Sequence, residues 1–258
     1  MSGYANEAEL EAATVRRVSW RLMPFLLAAY FMAYIDRANI GFASLQMNKA
    51  IGLTQAAYGL GAGIFFIGYF LCEVPSNLLL ARVGARRWIA RIMLTWGVIS
   101  VAMMLVRDES SFYLLRFVLG IAEAGFLPGV IYYLGHWYPR AQRAHAVSWF
   151  MIGIPLSTVL GAPLAGLLLQ MNGMAGLKGW QWLYLLEGLP AVVLGLVVWR
   201  WLPETPRDAR WLTPAEQDAL VTRISEEQAA TRERHHIGIG ATLRHPTVWL
   251  LGIVLFCC

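Results

Sequence analysis

The chain has 258 residues, 58% of them hydrophobic and only 14% charged, with a net charge of +5 and a mean hydropathy of +0.52. A soluble domain carries about a quarter charged residues, so this balance excludes one, and the length is to be divided by membrane spans. No basic patch is interleaved with base-stacking aromatics, which excludes nucleic acid as a partner.

In chain order, residues 1–20 read as a cytoplasmic N-terminus without the basic start, short apolar core and cleavage site of a signal peptide. Six apolar stretches follow, at about 22–45, 56–80, 88–106, 112–137, 145–171 and 181–202. They predict an all-α polytopic membrane protein with a six-helix bundle over 21–202. Residues 203–244 form a polar cytoplasmic loop. Within it Thr213-Pro214-Ala215-Glu216 has the pattern of a capping box with proline in the first turn. Leu220 and Ile224 then give that loop helix a narrow apolar stripe. It bridges two halves of a larger protein, or it is a solvated loop helix with no special role. Residues 245–258 begin a seventh apolar span and stop part-way, so the chain reads as an incomplete fragment. Cys72, Cys257 and Cys258 all lie in apolar stretches, with no metal-ligand spacing.

The basic residues set an orientation. Arg16, Arg17 and Arg21 precede the first span, Arg82, Arg86, Arg87 and Arg91 surround the second connection, Arg140 and Arg143 the fourth, and seven arginines follow from Arg200 onward. These 16 face only Lys49, Arg107 and Lys178 across the membrane. By the positive-inside rule the N-terminus and the long loop are cytoplasmic.

Two pairs of charges stand well inside the first and fourth spans. Asp36 and Arg37 interrupt the first, and each costs roughly 2.5–3.5 kcal/mol near a helix centre. Arg116 and Glu123 lie seven residues apart on nearly one face of the fourth, about 10 Å apart along its axis. From the 1.5 Å rise, Arg116, Asp36 and Glu123 lie roughly 6, 13 and 16 Å below the outer boundary. Overlapping depths let Asp36 and Glu123 meet Arg116 and Arg37 if the two helices face each other. An ion cluster that only fixes helix packing is the competing reading, although buried pairs stabilise less than apolar replacements. In the functional reading, Arg37 and Arg116 bind an anion through their planar forks. Asp36 and Glu123 then carry protons whose occupancy depends on that anion. Tyr34, Tyr69 and Gln46 are further cavity candidates, while Glu187 in the sixth span is ambiguous. Glycines and prolines in spans two and five permit close packing and bending. The pairs Arg37-x-x-x-Gly41 and Arg116-x-x-x-Gly120 hint at an internal repeat.

On YIDRANIGFA (Tyr34–Ala43), GAGIFFIGYFLCEVPSNLLLARVGARRWIARI (Gly61–Ile92), LRFVLGIAEAGFLPG (Leu115–Gly129) and WQWLYLLEGLPAV (Trp180–Val192), the chain resembles a major facilitator superfamily transporter of the anion:cation symporter branch. The similarity covers nearly all of residues 20–258 and is to bacterial permeases for tartrate, 4-hydroxyphenylacetate, phthalate or sugar acids. It implies a multi-pass protein of the bacterial inner membrane with twelve spans, of which this chain supplies the N-terminal six, so a C-terminal six-helix half is the expected partner. It implies protons at Asp36 and Glu123, the organic anion at Arg37 and Arg116, no cofactor, no enzymatic activity and a proton gradient as energy source. In the family's motif between spans two and three, Arg82, Gly84, Arg86 and Arg87 match, but Ala81 stands where the family has Asp. Two other functions compete: a non-transporting membrane interaction subunit, and a polytopic membrane enzyme. The enzyme lacks clustered His, a nucleophile beside a base, or metal-ligand spacing.

Overall fold

In the computed structural model the backbone is described over residues 7–234 and at 246, 247 and 250, with side chains described from 9 to 230 and at those three positions. The expected seventh span at 245–258 lies almost wholly outside the described residues, as do Cys257 and Cys258. Over residues 7–234 the α-helices are α1 (Glu7–Ile51), α2 (Gln55–Val83), α3 (Ala85–Ala102), α4 (Glu109–Glu123), α5 (Phe126–Leu134), α6 (Arg140–Met151), α7 (Gly153–Leu169), α8 (Gly179–Trp201) and α9 (Pro214–Arg234). There is no strand among the described residues. Six stretches are long and apolar enough to cross a bilayer, with α4 and α5 together forming the fourth and α6 and α7 the fifth.

Local chemistry explains where the helices stop and start. Thr54 caps α2, its hydroxyl accepting from Ala57 N at 3.1 Å, and Asp108 caps α4 in a reciprocal box with Ser111. Pro24, Pro75, Pro163 and Pro190 lie inside α1, α2, α7 and α8. Spanning helices tolerate prolines because neighbouring groups satisfy the freed carbonyls. The first helix differs from expectation by reaching back through the basic segment to Glu7.

Two departures matter for function. The fourth span is not one helix: α4 ends at Glu123, Ala124 turns extended (ψ 130°), Gly125 adopts φ 85°, and α5 restarts at Phe126. Ser76 Oγ donates to the freed, buried Ala124 carbonyl at 2.7 Å and accepts from Trp88 Nε1 at 2.9 Å, so the break is satisfied inside the protein. The loop helix is not solvated all round. Leu220 and Ile224 are buried with Val18 and Leu212, and the capping box forms, Glu216 Oε2 accepting from Thr213 N at 2.8 Å. The same oxygen meets Arg17 Nη1 at 2.9 Å, which ties α9 to α1.

Packing separates two apolar clusters. One contains Ala33, Phe65, Trp96, Leu119 and Tyr133, the other Ile40, Met47, Phe112, Trp180 and Tyr184. Asp36 on α1 and Arg116 on α4 fall between residues of the two clusters, so the charges occupy the seam rather than either core.

Candidate functional site

Asp36 and Arg37 are adjacent, and successive helical residues point about 100° apart. They therefore leave α1 toward different neighbours. Asp36 turns to α3, where Ser100 Oγ donates to its Oδ1. Arg37 turns to the break in span four, where its Nε donates to Glu123 Oε2 at 3.0 Å. The Glu123 side chain is 2% exposed and that of Arg37 31%, so the pair is reached from the arginine side.

Asp36, Arg37, Arg116 and Glu123 come together less completely than their depths suggest. Arg37–Glu123 is the one ion pair formed among them within the described residues. Arg116 is buried, donates from Nε to the Gly61 carbonyl at 3.3 Å, and lies with its guanidinium 4.5 Å from the Phe65 ring centroid. Held by that carbonyl, and a separation of about 10 Å along the helix from Glu123, it makes no salt bridge. It still acts through space on both Asp36 and Glu123. Asp36 Oδ2 and Glu123 Oε1 are buried without hydrogen-bond partners, and the two carboxylates act on one another across the seam.

Aromatic rings wall the Arg37 guanidinium: Tyr69 at 5.0 Å, Tyr34 at 5.7 Å and Phe65 at 6.0 Å. Tyr34 and Tyr69 are thus brought to the site. Gln46 is not; its Nε2 donates to the Leu169 carbonyl at 3.1 Å and joins α1 to the end of α7. Sequence reasoning missed Ser100, Phe65 and the Gly61 carbonyl, which tertiary packing alone brings to these charges. It also passed over Asn39, although this polar residue follows Asp36 by three positions and so shares its face. Among the described residues no set of three or more His, Cys, Asp or Glu side chains could hold a metal ion.

At the other end of the bundle the basic turn after α2 acquires an acid from elsewhere. Gly84 takes φ 100°, and the Glu204 carboxylate accepts from Arg86 N at 3.2 and 3.3 Å. A carboxylate at the first turn of α3 is favoured by the helix dipole. It supplies from the α8–α9 connection a charge that Ala81 does not.

Comparison with known proteins follows the same lines. Residues 26–258 match the Major Facilitator Superfamily. A protein of Agrobacterium vitis named as a candidate tartrate transporter is 50% identical over 248 residues, 96% of this chain and 55% of that protein. A quinolone resistance transporter of Acinetobacter baumannii is 47% identical over 245 residues, 95% of this chain and 56% of that one. The chain spans about half the length of the relatives it matches. Among solved structures, an inward-facing, occupied bacterial homologue of the human lysosomal transporter Spinster superposes with a TM-score of 0.67 at 22% identity, over 72% of this chain and 44% of that one. The proton:xylose symporter XylE gives 0.62 at 17% identity, over 86% and 52%. At these identities the structures speak for the fold alone.

Proposed function

We propose, because this chain belongs to the Major Facilitator Superfamily, that its six spans form one half of a proton-coupled symporter for a small organic carboxylate. The observation that carries the reading is the Arg37–Glu123 pair, a 3.0 Å contact between an accessible guanidinium and a sealed carboxylate. An incoming carboxylate matches the planar fork of Arg37 and competes for it with Glu123. Once Arg37 is engaged by the anion, Glu123 loses the cation that balances its charge, and a proton takes that place. Substrate and proton are then bound together. Arg116, buried behind the Phe65 ring, adds positive potential to the same seam.

A substrate such as tartrate, a sugar acid or an aromatic acid fits two guanidinium groups bordered by aromatic rings, and the name of the Agrobacterium relative supports the first. The remaining half of the site belongs to a second six-helix bundle, in keeping with relatives about twice as long. The charge asymmetry supports a cytoplasmic N-terminus, and the bacterial relatives an inner-membrane location, with the proton gradient as energy source.

The test uses the full-length protein in liposomes. Glu123→Gln keeps shape and hydrogen bonding but cannot exchange a proton. It is expected to abolish proton-driven accumulation of tartrate or an aromatic acid while substrate exchange continues. Arg37→Lys loses the bidentate fork and is expected to weaken binding about tenfold or more. If both variants lose exchange and accumulation to the same extent, the division between proton carrier and anion receptor is wrong.

A further inference from the structure

Glu187 on α8 is a buried intramembrane acid that the proposed mechanism leaves unused. It is 8% exposed, and both carboxylate oxygens are buried without hydrogen-bond partners. Facing it from α1 is the amide of Asn39, 1% exposed, whose Nδ2 and Oδ1 are likewise buried and unpartnered. Four buried polar atoms thus stand opposite one another between two packed helices, a costly arrangement unless they bond. The charges around them offer no cation. Asp36 on α1 is an acid already bonded to Ser100 of α3, and α3 otherwise meets this stretch of α8 through Gly97 and Val101. Helix α7 has no ionisable residue, and Arg116 of α4, which acts on Tyr184 one turn before Glu187, gives its Nε hydrogen bond to the Gly61 carbonyl.

One proton resolves all four atoms. With Glu187 ionised, Asn39 Nδ2 can donate to one oxygen, but Asn39 Oδ1 and the second carboxylate oxygen are both acceptors and stay unmatched. With Glu187 as the acid, its O–H donates to Asn39 Oδ1, its carbonyl oxygen accepts from Nδ2, and the ring of two hydrogen bonds closes. A sodium ion would satisfy the oxygens and leave Nδ2 without a partner. We infer that Glu187 and Asn39 form a proton-binding site between α1 and α8, separate from the Arg37–Glu123 pair and without a guanidinium of its own. Its proton balances against Asn39 rather than against a bound anion. That this proton takes part in coupling rests on the symport reading; that it is bound does not.

Infrared difference spectroscopy of the purified full-length protein, without substrate, tests the site. The wild type is expected to show a protonated-carboxyl carbonyl band at neutral pH that is absent from Glu187→Gln, and Asn39→Leu is expected to shift that band to higher frequency as its hydrogen bond is lost. If Glu187→Gln fails to fold, the Asn39→Leu shift alone decides. A wild-type spectrum unchanged in Glu187→Gln, or in Asn39→Leu where that variant decides, overturns the proposal. So does a carboxylate band at this residue that responds to sodium and not to pH. Failure of the full-length protein to accumulate any organic acid would instead sink the symport reading and leave the band as it is.

Discussion

Asp36 and Arg37 show how a single residue step divides labour in the seam. The 100° turn between them sends the acid to Ser100 and the base to Glu123, so a pair that looks self-neutralising in sequence serves two different helices. Removing either partner leaves a buried charge without its balance, which costs more than the pair contributes. Outside the membrane the effects are plainer. Asp108 is exposed and caps α4, accepting from Ser111 N at 2.7 Å, and these hydrogen bonds hold its carboxyl below the usual aspartate range. The folded-state value is depressed, so the stabilisation is fully present above the ordinary value of about 3.9 and is lost as pH falls through the lower folded one. Asp108→Asn keeps a capping acceptor without a titrating group. Its melting temperature should therefore fall less than that of the wild type on acidification below about pH 4, when followed by thermal unfolding in detergent; parallel curves would show that the cap does not titrate with folding.

Helix α4 lies against α2 so closely that Gly120 has no room for a side chain: a Cβ there would land on the Phe65 carbonyl, with Tyr69 N also within contact. Gly41 in α1, at the matching place of the Arg-x-x-x-Gly pair, has nothing within 4 Å. The sequence repeat therefore marks one packing glycine and one free one. Gly120→Ala should destabilise the full-length protein by roughly 1–3 kcal/mol, as overpacking does, whereas Gly41→Ala should be neutral or stabilise by up to about 1 kcal/mol through helix propensity. Thermal unfolding of both variants measures this, and equal losses would refute the distinction. The same contrast explains what was legible beforehand. The six spans could be read because apolarity over about 20 residues is a local property. The break at Ala124–Gly125 could not, since a glycine inside a span does not by itself mark a break and this one depends on Ser76 of α2 to satisfy its carbonyl. The charged residues of the site were visible as anomalies. Their partners were not, because Ser100, Phe65 and the Gly61 carbonyl are ordinary residues until packing brings them to Asp36 and the arginines.

Across the whole molecule, α9 makes the ends of the bundle answer to one another. The chain leaves α8, passes Glu204 at the start of α3, and returns to α1, where Glu216 meets Arg17 and Leu220 packs beside Val18. Glu227 also accepts from Arg140 N at 2.8 Å, at the start of α6. Three segments rich in arginine are therefore held at one face of the bundle by contacts that owe nothing to any bilayer. Asp108, in the connection between α3 and α4, lies one span away from the basic turn after α2 and so belongs to the opposite face. The asymmetry of basic residues supports the proposal that the α9 face is cytoplasmic. Cysteine substitution in the full-length protein tests this, with Asp108→Cys and Ala215→Cys placed in a background free of other reactive thiols. In intact cells an impermeant maleimide should modify position 108, and position 215 should react only after the membrane is opened. Because α9 is tied to α1 and α6, an outcome with 215 modified from outside would invert the N-terminus, the α2–α3 turn and the α5–α6 turn together. On the proposed symport reading, the Arg37–Glu123 pair would then be loaded from the opposite side.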